Sequence, residues 1–222
     1  MANEKIPTRD LLIEIAGELF AEYGYEGTSV KMIAEKSRQN IAAVNYHFGC
    51  KQSLFIETLK FVLGKIMTTP QAKKAGRGIK TGPERERELE HEHEHEFIEY
   101  VNERTRFLLS PKTPKWYGEL VVRSVFATPA GAHEIEIDIL SPDFNYLEDL
   151  ARRYSNSLEQ PAARRWAYSV IGQIFFYVMG RNMILLANNL PAYSEKFIAA
   201  VADQISETAI QWLKYQQKEK NS

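Results

Sequence analysis

The chain has 222 residues, 28 basic and 29 acidic side chains and a formal net charge of −1. That length accommodates one small and one larger helical domain, and an apolar share of 44% supplies their cores. The near-neutral balance excludes whole-chain attraction to nucleic acid, and the single cysteine, Cys50, excludes an intramolecular disulfide; with no signal-peptide pattern at the N-terminus, a cytoplasmic protein is expected.

In chain order, the first helix is expected from Pro7 or Thr8 to Tyr23, with Leu12, Ile15, Ala16, Leu19 and Phe20 as its inner stripe and Gly24 as a left-handed cap. Residues 28–48, TSVKMIAEKSRQNIAAVNYHF, then read as two short helices joined by a tight turn. Thr28 or Ser29 caps the first of them, Ile33 and Ala34 face inward, and Asn40 caps the second. The four-residue turn Ser37 to Asn40 has the spacing of a helix-turn-helix, whose second helix enters the DNA major groove. Charge is distributed to match. Residues 28–51 set Lys31, Lys36, Arg38 and Lys51 against Glu35 alone, whereas residues 8–26 set Arg9 against Asp10, Glu14, Glu18, Glu22 and Glu26.

Side-chain chemistry gives this second helix a reading face. Ala42 and Ala43 are small enough for close approach to bases, and Asn45 can bond the N6/N7 edge of adenine, while Val44 and Phe48 belong to the core. After Lys51 a longer helix is expected to near Met67, turning Leu54, Phe55, Thr58, Leu59, Val62 and Ile66 inward as a rod between head and body. Residues 70–83, rich in Gly, Pro and Lys, predict a mobile loop.

From Glu84 to Glu96 the pattern ERERELEHEHEHE alternates at period two, which on a helix spreads charge around every side and predicts a solvated helix start. Protonating its three histidines would relieve repulsion among the glutamates, so more helix is expected in acid. Further helices are expected over 97–109, 114–127, 130–154, 161–188 and 192–217, with Pro111, Pro114, Pro129, Pro142, Pro161 and Pro191 at starts or breaks. The segment WAYSVIGQIFFYVMGRNMILLA is apolar nearly all round, and Gln173, Arg181 and Asn182 interrupt it before bilayer length. Cover by a second subunit is therefore expected, with no membrane partner.

The helix TRDLLIEIAGELFAEYGYEGTS, the MIAEK pair and the run NYHFGCKQSL resemble the TetR family of transcriptional regulators. QNIAAVNYHF, PKWYGELVVRSVF and GQIFFY further resemble its CecR-like (YbiH-like) subgroup. The resemblance implies an all-α fold: a three-helix helix-turn-helix DNA-binding domain over 1–51, then a helical effector-binding and dimerisation domain over 52–222. It also implies a homodimer on a partly palindromic double-stranded operator, repression as the commoner mode, and a small-molecule effector. Matched position by position, Tyr46, His47 and Lys51 fall where relatives contact backbone or base edges, and Thr28, Ser29 and Lys31 where they grip phosphate; packing at the helix end is the competing role for Tyr46 and His47. The chain departs from the family where Arg38 replaces the usual turn glycine and Gln39 a small apolar residue.

Aromatic walls with a few polar anchors suit a ligand cavity between helices, which makes Trp116, Tyr117, Arg123, Phe126, Tyr146, Tyr168, Gln173, Phe176, Tyr177 and Arg181 the effector candidates. Most are expected to serve as core or interface; Gln173 and Arg181 are the preferred anchors, although a backbone carbonyl can satisfy either. Two other classes compete: an all-helical enzyme, and a metal sensor using His91 and His95 with Glu88, Glu92 and Glu99. No G-x-S-x-G or phosphate-binding Gly-rich pattern is present. A second E-x-x-H helix for a di-iron bundle is also missing, since His133 has no glutamate three before it. No catalytic residue, cofactor or metal is assigned.

Overall fold

The computed structural model describes residues 7–66, 83–126, 133–155 and 158–220, with side chains left undescribed at 83–87, 126, 133–140 and 219–220. Among the described residues the chain is all-α, ten helices and no strand. They are α1 (Thr8–Gly27), α2 (Val30–Ser37), α3 (Ile41–Phe48), α4 (Lys51–Ile66), α5 (Pro83–Leu109), α6 (Lys115–Phe126), α7 (His133–Tyr154), α8 (Gln160–Met179), α9 (Arg181–Ala187) and α10 (Glu195–Lys220). Contacts divide them into two compact units, Met1–Met67 with Pro114–Leu140, and Thr68–Thr113 with Ser141–Ser222. The expected loop at 70–83 lies outside the described residues up to 82, and Pro83 opens α5.

In the first unit α1 packs on α2, α4 and α6. Leu12, Ala16, Leu19 and Phe20 are buried as their spacing requires, and Phe20, Tyr25 and Phe55 form a ring cluster at 5.1–6.0 Å. α1 runs on to Gly27, past the expected end at Tyr23, but it kinks at Gly24, whose φ of 74° and ψ of 174° are open to glycine. Gly17 has a second use: a Cβ there would collide with the Trp116 indole, so its bare backbone lets α6 lie close on α1.

The second unit is built on α5 and α10, with α8 against both. Val101, Leu109, Leu147, Leu150, Val170 and Ile205 fill its core, and the buried Trp166 indole donates to the Ala209 carbonyl at 3.0 Å. Two expectations need correction. The helix foreseen over 161–188 is two helices, α8 and α9, bent by 66° around Gly180. A Cβ at Gly180 would come within 2.8 Å of the Phe176 carbonyl, so the close turn depends on glycine. Pro142 was expected at a helix start or break but lies inside α7. Among the described residues no single helix is long and apolar enough to cross a membrane; only the bent α8–α9 pair passes on length and composition together.

The glutamate–histidine run is also less solvated than expected. It forms the N-terminal half of α5, where period-two spacing sends successive glutamates to different neighbours. Glu96 accepts two bonds from the Arg153 guanidinium and one from the Tyr146 hydroxyl, all at 2.9 Å, whereas Glu94 accepts from Tyr154 and Lys214 at 2.8 Å.

Candidate nucleic-acid interface

The α2–α3 pair begins with two side-chain caps. The Ser29 oxygen accepts from the Met32 N–H at 3.1 Å and the Asn40 carbonyl oxygen from the Ala43 N–H at 2.7 Å, satisfying backbone donors that a helix start otherwise leaves open. Between them Arg38 is left-handed, with φ 56° and ψ 31°. The Arg38 N–H donates to the Glu35 carbonyl at 3.1 Å and the Gln39 N–H to the Ala34 carbonyl at 2.9 Å, the bond pair of a Schellman motif. The turn therefore keeps the conformation that glycine favours, with arginine in it.

α3 is anchored by Val44 and Phe48, both buried, and turns Ile41, Ala42, Asn45 and Tyr46 outward. Their i, i+1, i+4, i+5 spacing makes one face. Tyr46 is 85% exposed, so of its two expected roles it does not take helix-end packing. His47 is half-buried, its ring 5.1 Å from Tyr46 and 6.1 Å from Phe48, and Ala43 is half-buried behind the outward face.

The phosphate-grip candidates separate. Ser29 and Lys31 are exposed, with Lys31 3.8 Å from Glu35 across one helical turn. Thr28 is corrected: it is 1% exposed, and its hydroxyl donates inward to the Leu19 and Gly24 carbonyls at 3.0 and 2.8 Å, so it holds the kink at Gly24 within α1. Lys51 is half-buried. Its ammonium donates to the Tyr25 and Thr28 carbonyls at 3.0 and 3.2 Å and stands 4.0 Å above the Tyr25 ring.

The effector candidates fall in both units. Trp116 and Tyr117 are buried within the first unit, the indole against Gly17 and the phenol ring 6.2 Å from Phe61. Arg123 lies beside Gly24, its Nε buried and without a hydrogen-bond partner; the Phe126 side chain is outside the described residues. In the second unit Gln173, Phe176 and Tyr177 line an open groove of about 390 Å³ between α8 and α10, and the Gln173 amide donates to the Ser169 carbonyl at 3.2 Å. Tyr168 and Phe176 are more than half exposed, and Tyr146 is held by Glu96. Arg181 is 6% exposed, and its guanidinium donates to the Leu109 and Leu108 carbonyls at 3.1 and 2.8 Å, at the C-terminal end of α5, while lying 5.1 Å over Tyr193. Of the partners open to it, backbone carbonyls are among those it takes. Among the described residues no three His, Cys, Asp or Glu groups converge as a metal site; His95 lies 3.6 Å from Glu99.

The family model for bacterial regulatory proteins of the tetR family matches residues 12–58, which span α1 through the first half of α4. The model for the C-terminal domain of the HTH-type transcriptional dual regulator CecR matches residues 94–212, more than half of the chain. The chain belongs to the TetR family of transcriptional regulators, with a CecR-type C-terminal domain. The dual regulator CecR of Shigella flexneri is 26% identical over 189 residues, covering 83% of this chain and 82% of that protein. A TetR-family regulator from Bordetella parapertussis 12822 superposes with a TM-score of 0.64 at 15% identity, over 92% of this chain and 95% of the other. AibR, crystallised with isovaleryl coenzyme A and operator DNA, gives 0.59 at 14% identity, over 91% and 97%.

Two features of this TetR-family chain escape a sequence reading. Ile41 stands three before Val44 and seven before Phe48, which reads as core, yet it is 46% exposed on the α3 face because it occupies the first helical position. Arg104 reads as a surface residue but is buried: it bonds Asp143 at 2.7 Å and lies 5.0 Å over the Tyr100 ring, beside Thr105, whose buried hydroxyl has no partner. No local signal announces either.

Proposed function

We propose that the chain is a ligand-responsive repressor that binds a partly palindromic operator as a twofold homodimer. The observation that carries this is the α3 face: Ala42, Asn45 and Tyr46 stand outward on a helix whose other side is fixed by Val44 and Phe48. Asn45 reads adenine, the alanine methyls allow close approach, and Tyr46, Ser29, Lys31 and Lys51 set register on the backbone, with Ala43 and His47 supporting that face.

One eight-residue reader helix touches few base pairs, so specific affinity calls for two heads. Support for a second copy comes from the other unit. Tyr168, Phe176, Met179 and Met183 make an exposed apolar stripe along α8 and α9, with Trp212 and Tyr215 exposed on α10. Gly172 sits in that stripe with open space where a Cβ would be. Apolar area of this kind is normally covered by a partner.

On this reading Tyr168 and Phe176 belong to the subunit contact, while Trp116 and Arg123 hold α6 on α1 and Tyr117 meets Phe61 of α4. Gln173 and Tyr177 line the α8–α10 groove together with Phe176, so a small molecule held there lies at the edge of that contact. AibR, which shares the fold, was crystallised with an acyl coenzyme A and operator DNA, and the same pairing of small effector and operator is proposed for this chain. Effector binding shifts the population toward a head spacing that no longer matches the operator, by no more than its differential affinity for the two states.

The test is Phe176→Glu, measured by light scattering and by gel shift on DNA flanking the gene. A monomer that loses operator affinity supports the reading. A dimer with unchanged affinity removes the proposed interface.

A further inference from the structure

A polar groove lies between α5 and α10 of the second unit. Glu94 and Ile98 of α5, with Asp203, Ser206, Glu207 and Ile210 of α10, line a space of about 330 Å³. At 100° per residue along α10 these residues lie about 120–180° from Trp212 and about 80–180° from Tyr215, so they face away from Trp212 and border Tyr215 only at Glu207.

The charges of the groove do not balance. Its lining cation, Lys214, is bonded to Glu94 at 2.8 Å, and Glu94 also accepts the Tyr154 hydroxyl. Asp203 and Glu207 are both exposed one turn apart, like charges that repel, and neither has an ion-pair partner among the described residues. Between them in sequence lies Ser206, 3% exposed, whose Oγ has no hydrogen-bond partner. Some helical hydroxyls elsewhere bond the carbonyl one turn back, as Thr208 does to Gln204 and Ser124 to Leu120, whereas Thr105 of α5 has no partner. Ser206 does not, which leaves a buried hydroxyl at a groove that it lines.

We infer that this groove binds a small aliphatic ammonium compound, its charge held by Asp203 and Glu207 with the Ser206 hydroxyl, its carbon chain laid on Ile98 and Ile210. An ammonium group brings three donors and one positive charge to a set of oxygen acceptors. A carboxylate ligand would add a third uncompensated negative charge. A bare divalent ion would not use the isoleucine wall, and no group of metal-binding side chains is present among the described residues.

Isothermal titration of the full-length protein with hexylamine tests this, without DNA and so independently of operator binding. The wild type is expected to bind hexylamine saturably and to give no saturable heat with hexan-1-ol or hexanoate. Asp203→Asn with Glu207→Gln, both on the surface, is expected to weaken hexylamine by about tenfold or more, and Ser206→Ala by a smaller factor, with unchanged circular dichroism. Equal affinity in the double variant, equal binding of hexan-1-ol, or no saturable heat with the wild type overturns the assignment.

Discussion

The Lys51 ammonium lies 4.0 Å above the Tyr25 ring and donates to the Tyr25 carbonyl, tying the first residue of α4 to the last turn of α1. Together with its bond to the Thr28 carbonyl, this makes Lys51 a clasp of the DNA head as well as a positive charge near it. Lys51→Ala is therefore expected to lower the stability of the head by about 1–2 kcal/mol. It is also expected to weaken operator and random DNA by the same factor and to reduce the salt slope by about one. Thermal melts and anisotropy titrations at several salt concentrations check both; a loss confined to the operator contradicts the assignment.

Arg38 holds φ at 56°, where a side chain is strained. Arg38→Gly should stabilise the protein by about 0.5–1 kcal/mol after allowance for the greater chain entropy of unfolded glycine. Chemical denaturation reads this directly, and a less stable variant would show that the arginine makes a compensating contact.

The helix-turn-helix was legible because its determinants are local: caps at Ser29 and Asn40, buried Val44 and Phe48, and a turn of fixed length. The position of the turn was legible at Arg38, but not that arginine would keep the left-handed geometry. What failed depends on distant partners. The Glu94 and Glu96 carboxylates look solvated until Tyr154 and Arg153, 60 and 57 residues further along, are brought to them. Thr28 looks like a phosphate ligand until Leu19 and Gly24 offer carbonyls. The break at Gly180 was hidden because the residues on both sides are equally apolar, so composition carries no trace of a bend.

The buried guanidinium of Arg181 supplies donors to two carbonyls at the end of α5. Arg181→Met keeps much of the volume but leaves those carbonyls without these donors, and a loss of about 2–4 kcal/mol is expected by chemical denaturation. A loss below about 0.5 kcal/mol would mean that water replaces the guanidinium without cost.

Acid should weaken the second unit, reversing the expectation that it orders the histidine run. Burial, aided by Arg153, pushes the His93 imidazole below its ordinary value of 6.5. Burial raises the Glu96 and Glu94 carboxyls, but bonds from Arg153 and Tyr146, and from Lys214 and Tyr154, outweigh it and hold both below the usual carboxylate range. All three folded-state values are depressed, so each contribution is complete above the unfolded value and is lost as pH falls through the folded one. Stability should thus begin to decline below about pH 6.5 through His93 and fall further below the ordinary carboxylate value near 4.5. His93→Gln should remove the first step. Melts followed by circular dichroism check this, and a helix gain on mild acidification would contradict it.

If the α3 face reads DNA in duplicate, selection of bound duplexes from a random library by the full-length protein will show it. Enrichment of a partly palindromic site is expected, with half-sites centred about 10 base pairs apart or a multiple of that. Asn45→Ala is also expected to lose about 1–3 kcal/mol on the selected site with little change on random DNA. Enrichment of single half-sites, no enrichment at all, or an Asn45→Ala variant that weakens every duplex equally would contradict duplicate reading by α3.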